Sequence, residues 1–114
     1  MTRAGKNDRV LAFSKREIAG NDGHGNSVTD WSEQFRERGE RVFLRGGEEI
    51  QAARLEGRQP VVFKIWTSVD ARSVAFDWRI QDVNSGETYN VKTVEESKDG
   101  MRIEILAESG GRDG

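Results

Sequence analysis

The residues of this chain that could do chemistry are few, and none sits in a pattern that organises catalysis. His24 is the single histidine. As a base or metal ligand it would need partners, and the nearest in sequence are Asp22 and Asp30. Asp22 shares with it the run Gly20-Asn21-Asp22-Gly23-His24-Gly25-Asn26-Ser27, whose glycines and asparagines favour turns and left-handed backbone. A site needs rigid support, so His24 reads as a solvated loop residue. Asn21-Asp22-Gly23 lacks the remaining spacing of a calcium loop, including its terminal glutamate. Gly23-His24-Gly25-Asn26-Ser27-Val28 starts like a dinucleotide fingerprint but has no third glycine and no helix after it. The absence of cysteine removes disulfides and thiolate metal sites. A serine nucleophile would lack a supported histidine. Three carboxylates, Asp70, Asp77 and Asp82, are left for acid–base work if the fold gathers them; solvated strand ends are the simpler reading. The expectation is no catalytic residue, no metal and no cofactor.

Larger side chains point to packing and assembly. Trp78 falls in register with Phe76 and Ile80, which marks it as core. Trp66 lies on a less regular face and is open to packing or to a subunit interface. Trp31 follows the glycine-rich run and is placed to anchor its return. The run Arg36-Glu37-Arg38-Gly39-Glu40-Arg41 mixes signs, so its attraction to phosphate is weak at physiological salt. A solvated strand, or an interface of reciprocal salt bridges through Arg36, Arg38 and Arg41, suits it better.

The elements that must position these groups are mostly strands. Val10-Leu11-Ala12-Phe13 is a short apolar run bounded by charge. Val42-Phe43-Leu44 reads as a second, partly exposed strand. Gly46-Gly47 then precedes Glu48 and Glu49, acids suited to the positive end of a helix dipole. Ile50 and Ala53 share a face with Ala52 and Leu55 beside them, Gly57 supplies a stop, and Pro60 follows. This predicts a helix over about 47–56, too short to be stable unless its Ile50 face is packed. Val61, Phe63 and Ile65 share one face of a third strand. Phe76-Asp77-Trp78-Arg79-Ile80-Gln81 alternates apolar and polar residues, as a half-buried strand does. Turns at Asn84-Ser85-Gly86 and Lys98-Asp99-Gly100 separate two more strands, one around Tyr89-Asn90-Val91 and one in which Met101, Ile103 and Ile105 alternate with charge.

The predicted fold is mainly β: a small antiparallel barrel of about six strands with one short helix between the second and third, a two-layer α+β sandwich being the alternative. Closure suits a charged sheet that cannot otherwise cover its edges. One domain over 9–108 is expected, with flexible ends at 1–8 and 109–114. The 114 residues are 34% hydrophobic and 33% charged, with a formal charge of −2. That balance predicts a thin core and argues against a dedicated nucleic-acid binder. No apolar run approaches the roughly 20 residues of a membrane span. The first residues lack an apolar signal segment, so synthesis in a cytoplasm is expected.

The order of features resembles a known family. It runs from the first strand and the glycine-rich loop closing at a tryptophan to the helical stretch from Gly46 to Gly57. It continues through Gln59-Pro60-Val61-Val62, the strand around Trp66, Thr67-Ser68-Val69-Asp70-Ala71-Arg72-Ser73-Val74 and Asp77-Trp78-Arg79. This looks like the head–tail joining (head-closure or stopper) proteins of siphophages, with relatives in gene transfer agents. The most similar stretches are Arg54-Leu55-Glu56-Gly57-Arg58-Gln59-Pro60, Tyr89-Asn90-Val91 and Leu106-Ala107-Glu108-Ser109-Gly110. The resemblance implies a non-enzymatic virion subunit that forms a ring with its own copies. That ring would sit under the portal and adaptor and above the tail terminator, around DNA it does not read. It also implies a channel-closing segment at 45–59, carrying Arg45, Glu48, Glu49, Ile50, Arg54, Glu56 and Arg58. The loop with Asp22, His24 and Asn26 is a second candidate to reach the channel or a neighbour. Arg36, Arg38, Arg41 and Trp66 are the candidate subunit contacts. Alternatives are an adjacent ring (adaptor or tail terminator) or a monomeric barrel that binds a peptide or oligonucleotide.

Overall fold

A computed structural model describes residues 9–21 and 27–110. Six strands and two helices follow in the order β1 (Arg9–Asn21), β2 (Ser27–Phe43), α1 (Glu48–Leu55), β3 (Gln59–Trp66), α2 (Val69–Arg72), β4 (Arg79–Asp82), β5 (Thr88–Glu96) and β6 (Arg102–Ser109). All strand pairings are antiparallel, and the order β1-β2-β3-β6-β5-β4 returns to β1 as a closed barrel. The mainly β barrel with its helix between β2 and β3 is therefore as the sequence predicts.

Alternation fills the interior. Leu11 and Phe13 of β1, Val61, Phe63 and Ile65 of β3, Ile80 of β4, Tyr89 and Val91 of β5, and Ile103, Ile105 and Ala107 of β6 point inward and are buried. Each large apolar side chain buried in this way contributes about 1.5–3 kcal/mol before ordering costs. Phe13 stacks on Phe35 of β2 at 4.6 Å between centroids, and Phe63 meets Tyr89 edge-on at 5.0 Å. At Gly39 a Cβ would come within 2.9 Å of the Lys64 carbonyl oxygen and 2.7 Å of Ile65 Cγ2. Glycine is thus what lets β2 lie this close to β3.

Three local readings are corrected. The first two strands are much longer than their apolar runs, and they form one hairpin whose strands take in Gly20, Asn21 and Ser27. Their outer parts carry charge on both faces, so no apolar alternation marks them in the sequence. Phe76 is 67% exposed while Trp78 and Ile80 are buried. Asp77 between them adopts a left-handed φ of 69°, which breaks the extended run, so β4 begins only at Arg79. Met101 is likewise exposed, because β6 begins at Arg102. The turn of helix at α2 was not foreseen; Ser68 caps it, its Oγ accepting from the Ala71 N–H at 2.9 Å. Ala71 and Val74 there join the core.

The register gives the barrel two distinct ends. α1 leaves from the end of β2 and returns at the start of β3. At the opposite end β3 finishes, α2 crosses to β4, and β5 turns into β6. β1 continues past its last pairing with β4, Ser14 with Arg79, so the hairpin projects from this second end. Register shifts at Phe13/Ser14 and Ile18/Gly20 add twist where the hairpin departs.

Candidate assembly surfaces

The first projection is the α1 arm. Its C-terminal stop is a Schellman turn: the Gly57 N–H donates to the Arg54 carbonyl and the Arg58 N–H to the Ala53 carbonyl, with Gly57 at φ 83°. That geometry favours glycine at this position. The arm is fastened at its base. Arg58 pairs with Glu56 at 2.6 Å and with Glu108 of β6 at 3.0 Å. Gln59 Nε2 donates to the Leu44 carbonyl at 3.0 Å, and the Leu44 N–H donates to the Pro60 carbonyl at 3.1 Å. The stretch from Arg54 to Pro60 is thus a structural clasp.

Beyond the clasp the arm is lightly held. Ala53 is buried and Ile50 half-buried, whereas Leu55 is 88% exposed. Glu48, Glu49, Arg54 and Glu56 are exposed, and Arg45 lies over the Phe43 ring at 5.9 Å. The structure therefore gathers Arg45, Glu48, Glu49, Ile50, Arg54 and Glu56 on one projecting segment. Arg58 is engaged at its root.

The second projection is the hairpin. Two guanidinium groups lie over the Trp31 ring, Arg16 at 4.9 Å and Arg79 of β4 at 4.4 Å. This double cation–π contact ties the departing hairpin to the barrel, as the anchoring role expected of Trp31 requires. Asp22, His24 and Asn26 lie outside the described residues.

The four interface candidates do not form one surface. Arg36 and Arg38 are exposed on alternate positions of β2. Arg36 binds Glu33 through Nε at 2.8 Å, and this hydrogen bond holds the Glu33 carboxyl below its usual range. Trp66 is 46% exposed, with Arg102 over its ring at 4.0 Å. Arg41 has the opposite phase, that of Phe35 and Gly39, and turns into the mouth of the barrel. Its side chain is 10% exposed and bonds Asp82 Oδ2 at 3.0 Å and the Tyr89 hydroxyl at 3.1 Å. Its guanidinium is spent inside the subunit.

Asp82 is the residue the sequence reading misplaced. Taken for a solvated strand end, it is fully buried. Arg9 reaches Oδ2 at 2.7 Å beside Arg41, while Oδ1 accepts from the backbone N–H groups of Asn84 and Ser85 at 3.0 and 3.3 Å. β1, β2, β4 and the following turn thus meet on one carboxylate. The turn signal Asn84-Ser85-Gly86 was the available clue, since an Asp just before such a turn commonly caps it. Asp70 and Asp77 are exposed, and Asp77 lies at the other end of β4 from Asp82, so no carboxylate cluster forms. Among the described residues no group of three or more His, Cys, Asp or Glu is placed to hold a metal. No helix among them is long and apolar enough to cross a membrane.

The network makes a spectroscopic prediction. Tyr89 is the only tyrosine, so its phenol titrates without overlap from another tyrosine. Burial, then its hydrogen bond to Glu87, pushes its pKa up. Absorbance at 295 nm is expected to show ionisation above the ordinary tyrosine range in the folded chain and within it in denaturant. Because the folded pKa is raised, the associated stability is present below about pH 10 and is lost as pH rises through the folded value. A folded midpoint at or below the denatured one would contradict the network.

Comparison with known proteins fits this geometry. The solution structure of protein SF1141 from Shigella flexneri 2a aligns with a TM-score of 0.70 at 14% identity, covering 97% of this chain and 99% of that one. A chain in the virion of a native gene transfer agent particle aligns with a TM-score of 0.60 at 17% identity, covering 90% of this chain and 94% of that one. At such identities the likeness is one of fold. No curated protein matches the chain by sequence. The family model for the phage head completion protein matches residues 2–110. A closed barrel bearing a projection at each end thus carries its family's pattern along nearly its whole length: the chain belongs to the phage head completion proteins, a structural family of the virion.

Proposed function

We propose that the chain is the head-closure (stopper) subunit of a tailed phage or a related particle. In this reading, copies made in the host cytoplasm form a ring beneath the portal and adaptor. The tail terminator docks on the far side. The observation that carries the reading is the pair of projections at opposite ends of a closed barrel. A subunit between two partners needs two separate faces, and the α1 arm and the hairpin end supply them. A ring also multiplies contacts that are weak for one small barrel.

The α1 arm is the proposed channel-closing segment. Its exposed charges have both signs, Glu48, Glu49 and Glu56 against Arg45 and Arg54. Such a surface can obstruct DNA without holding it tightly, since non-specific affinity rises with the number of phosphates neutralised. The exposed residues Arg36, Arg38 and Trp66 are the proposed contacts between copies.

Complementation tests the role. DNA-filled heads from a mutant lacking this chain are expected not to join purified tails. Adding the purified protein should restore joining, with several copies bound per head before tails are added. Heads that join tails equally well without it, or protein that binds only to free tails, would contradict the proposal.

A further inference from the structure

The barrel is closed, but the hairpin that leaves it is not covered. β1 is paired on both sides only from Leu11 to Ser14, where β4 lies against it; its residues 15–21 pair with β2 alone. β2 meets β3 only from Gly39 to Phe43, so its residues 27–37 pair with β1 alone. Among the described residues the molecule therefore carries two open strand edges on one hairpin, facing opposite ways. At about 3.3 Å per residue the β2 edge is roughly 35 Å long.

Open edges of this kind invite pairing, and proteins usually blunt them with proline, short length, charge or bulges; this hairpin has the last two. The β2 edge is long and contains no proline, the only one being Pro60. Val28, Thr29, Trp31 and Phe35 favour extended backbone. Local side chains hold backbone groups of this stretch: the Trp31 N–H donates to Asp30 Oδ1 at 2.7 Å, and the Ser32 carbonyl accepts from Gln34 Nε2 at 2.9 Å. The contacts of Arg16 and Arg79 with Trp31 and the Phe13–Phe35 pair stiffen the hairpin's base, so the edge is presented in a preorganised direction.

We infer that the open edge of β2, residues 27–37, is an intersubunit pairing surface whose occupant is the open run of β1, residues 15–21, from a second copy of this chain. The inference rests on the ring reading above and names its surface. A contact using one edge of each hairpin is head-to-tail, so it repeats about an axis and closes into a ring. Hairpins related by such an axis point the same way, which makes β2 of one copy antiparallel to β1 of the next. At the level set by Lys15 pairing with Ser32, opposite signs meet on the diagonals, Lys15 with Asp30 and Arg16 with Glu33, while Glu17 faces Asp30 directly; the run Lys15-Arg16-Glu17 is net positive against the two acids of β2. The hairpins then form one continuous sheet around the channel.

The absence of cysteine makes the test clean. In an equal mixture of Lys15→Cys and Glu33→Cys subunits, every disulfide must join two subunits. Antiparallel neighbours fall within disulfide reach, a Cα separation of about 4.4–6.8 Å. Particles assembled from the mixture should give the mixed dimer under mild oxidation. Particles mixing Lys15→Cys with Lys92→Cys, on the far strand β5, should not. Amides within 27–37 should also exchange at least about tenfold more slowly in the particle than in the free chain. Necks that hold several copies, with no mixed dimer from a cysteine scan over 31–35 and unchanged exchange, overturn the inference and leave the ring reading standing. Slowed exchange without any such dimer overturns the choice of a second copy in favour of another protein's strand. Necks that hold only one copy overturn both.

Discussion

Asp82→Ala is expected to destabilise the chain by about 3–5 kcal/mol, the usual effect of removing one partner of a buried ion pair. The carboxylate is fully buried and takes two guanidinium groups and two backbone N–H groups. Alanine would leave Arg41 charged at the barrel mouth without its buried counter-ion, with the Tyr89 hydroxyl, the exposed Glu87 and the Phe43 ring near it. For a domain of this size the loss corresponds to a drop in Tm of roughly 12–30 °C, readable by circular dichroism. Glu87→Gln, at the exposed rim of the same network, should change Tm by only a few degrees, as rim ion pairs contribute about 0–1 kcal/mol. A loss under 1 kcal/mol for Asp82→Ala would mean that the mouth is held by packing alone.

Deleting residues 48–56 is expected to spare the fold and abolish DNA retention. The deletion removes one buried side chain, Ala53, and keeps the bond between Leu44 and Pro60 together with the β2–β3 ladder. The stability change, which includes the lost Glu56 pair of Arg58 and the helix stop, should stay within about 0.5–3 kcal/mol, the range most single substitutions span. Heads carrying the shortened subunit should package normally and then leak, so that most of their genomes become sensitive to nuclease before tails attach. Normal retention by a folded deletion variant would place the closing element elsewhere.

The β half of the fold was legible because its core obeys simple alternation. Val61, Phe63 and Ile65, and later Ile103 and Ile105, announce one buried face each. The α1 arm was legible for a different reason: Gly46-Gly47, two acids and Gly57 punctuate it whether or not it is packed. The hairpin was not, since Lys15, Arg16, Glu17, Asp30 and Glu33 interrupt any hydrophobic period along it. Phe76 misled because a pattern of types does not record the left-handed turn at Asp77.

Assembly candidates divide in the same way. The arm residues came out together because they are neighbours along the chain. Arg41 was grouped with Arg36 and Arg38 by charge, although its phase along β2 differs from theirs and matches Phe35 and Gly39. Asp82 joins residues from three strands, and long-range meetings of that kind leave no local trace. The open hairpin edges are a property of pairing, visible only once the register is known.

Imaging the complete particle at a resolution that traces strands addresses the central claim most directly. Several copies of this barrel are expected at the neck, arranged about the DNA axis, with α1 arms directed to the channel. A chain found scattered over the capsid shell, or present as one copy beside the axis, would contradict it.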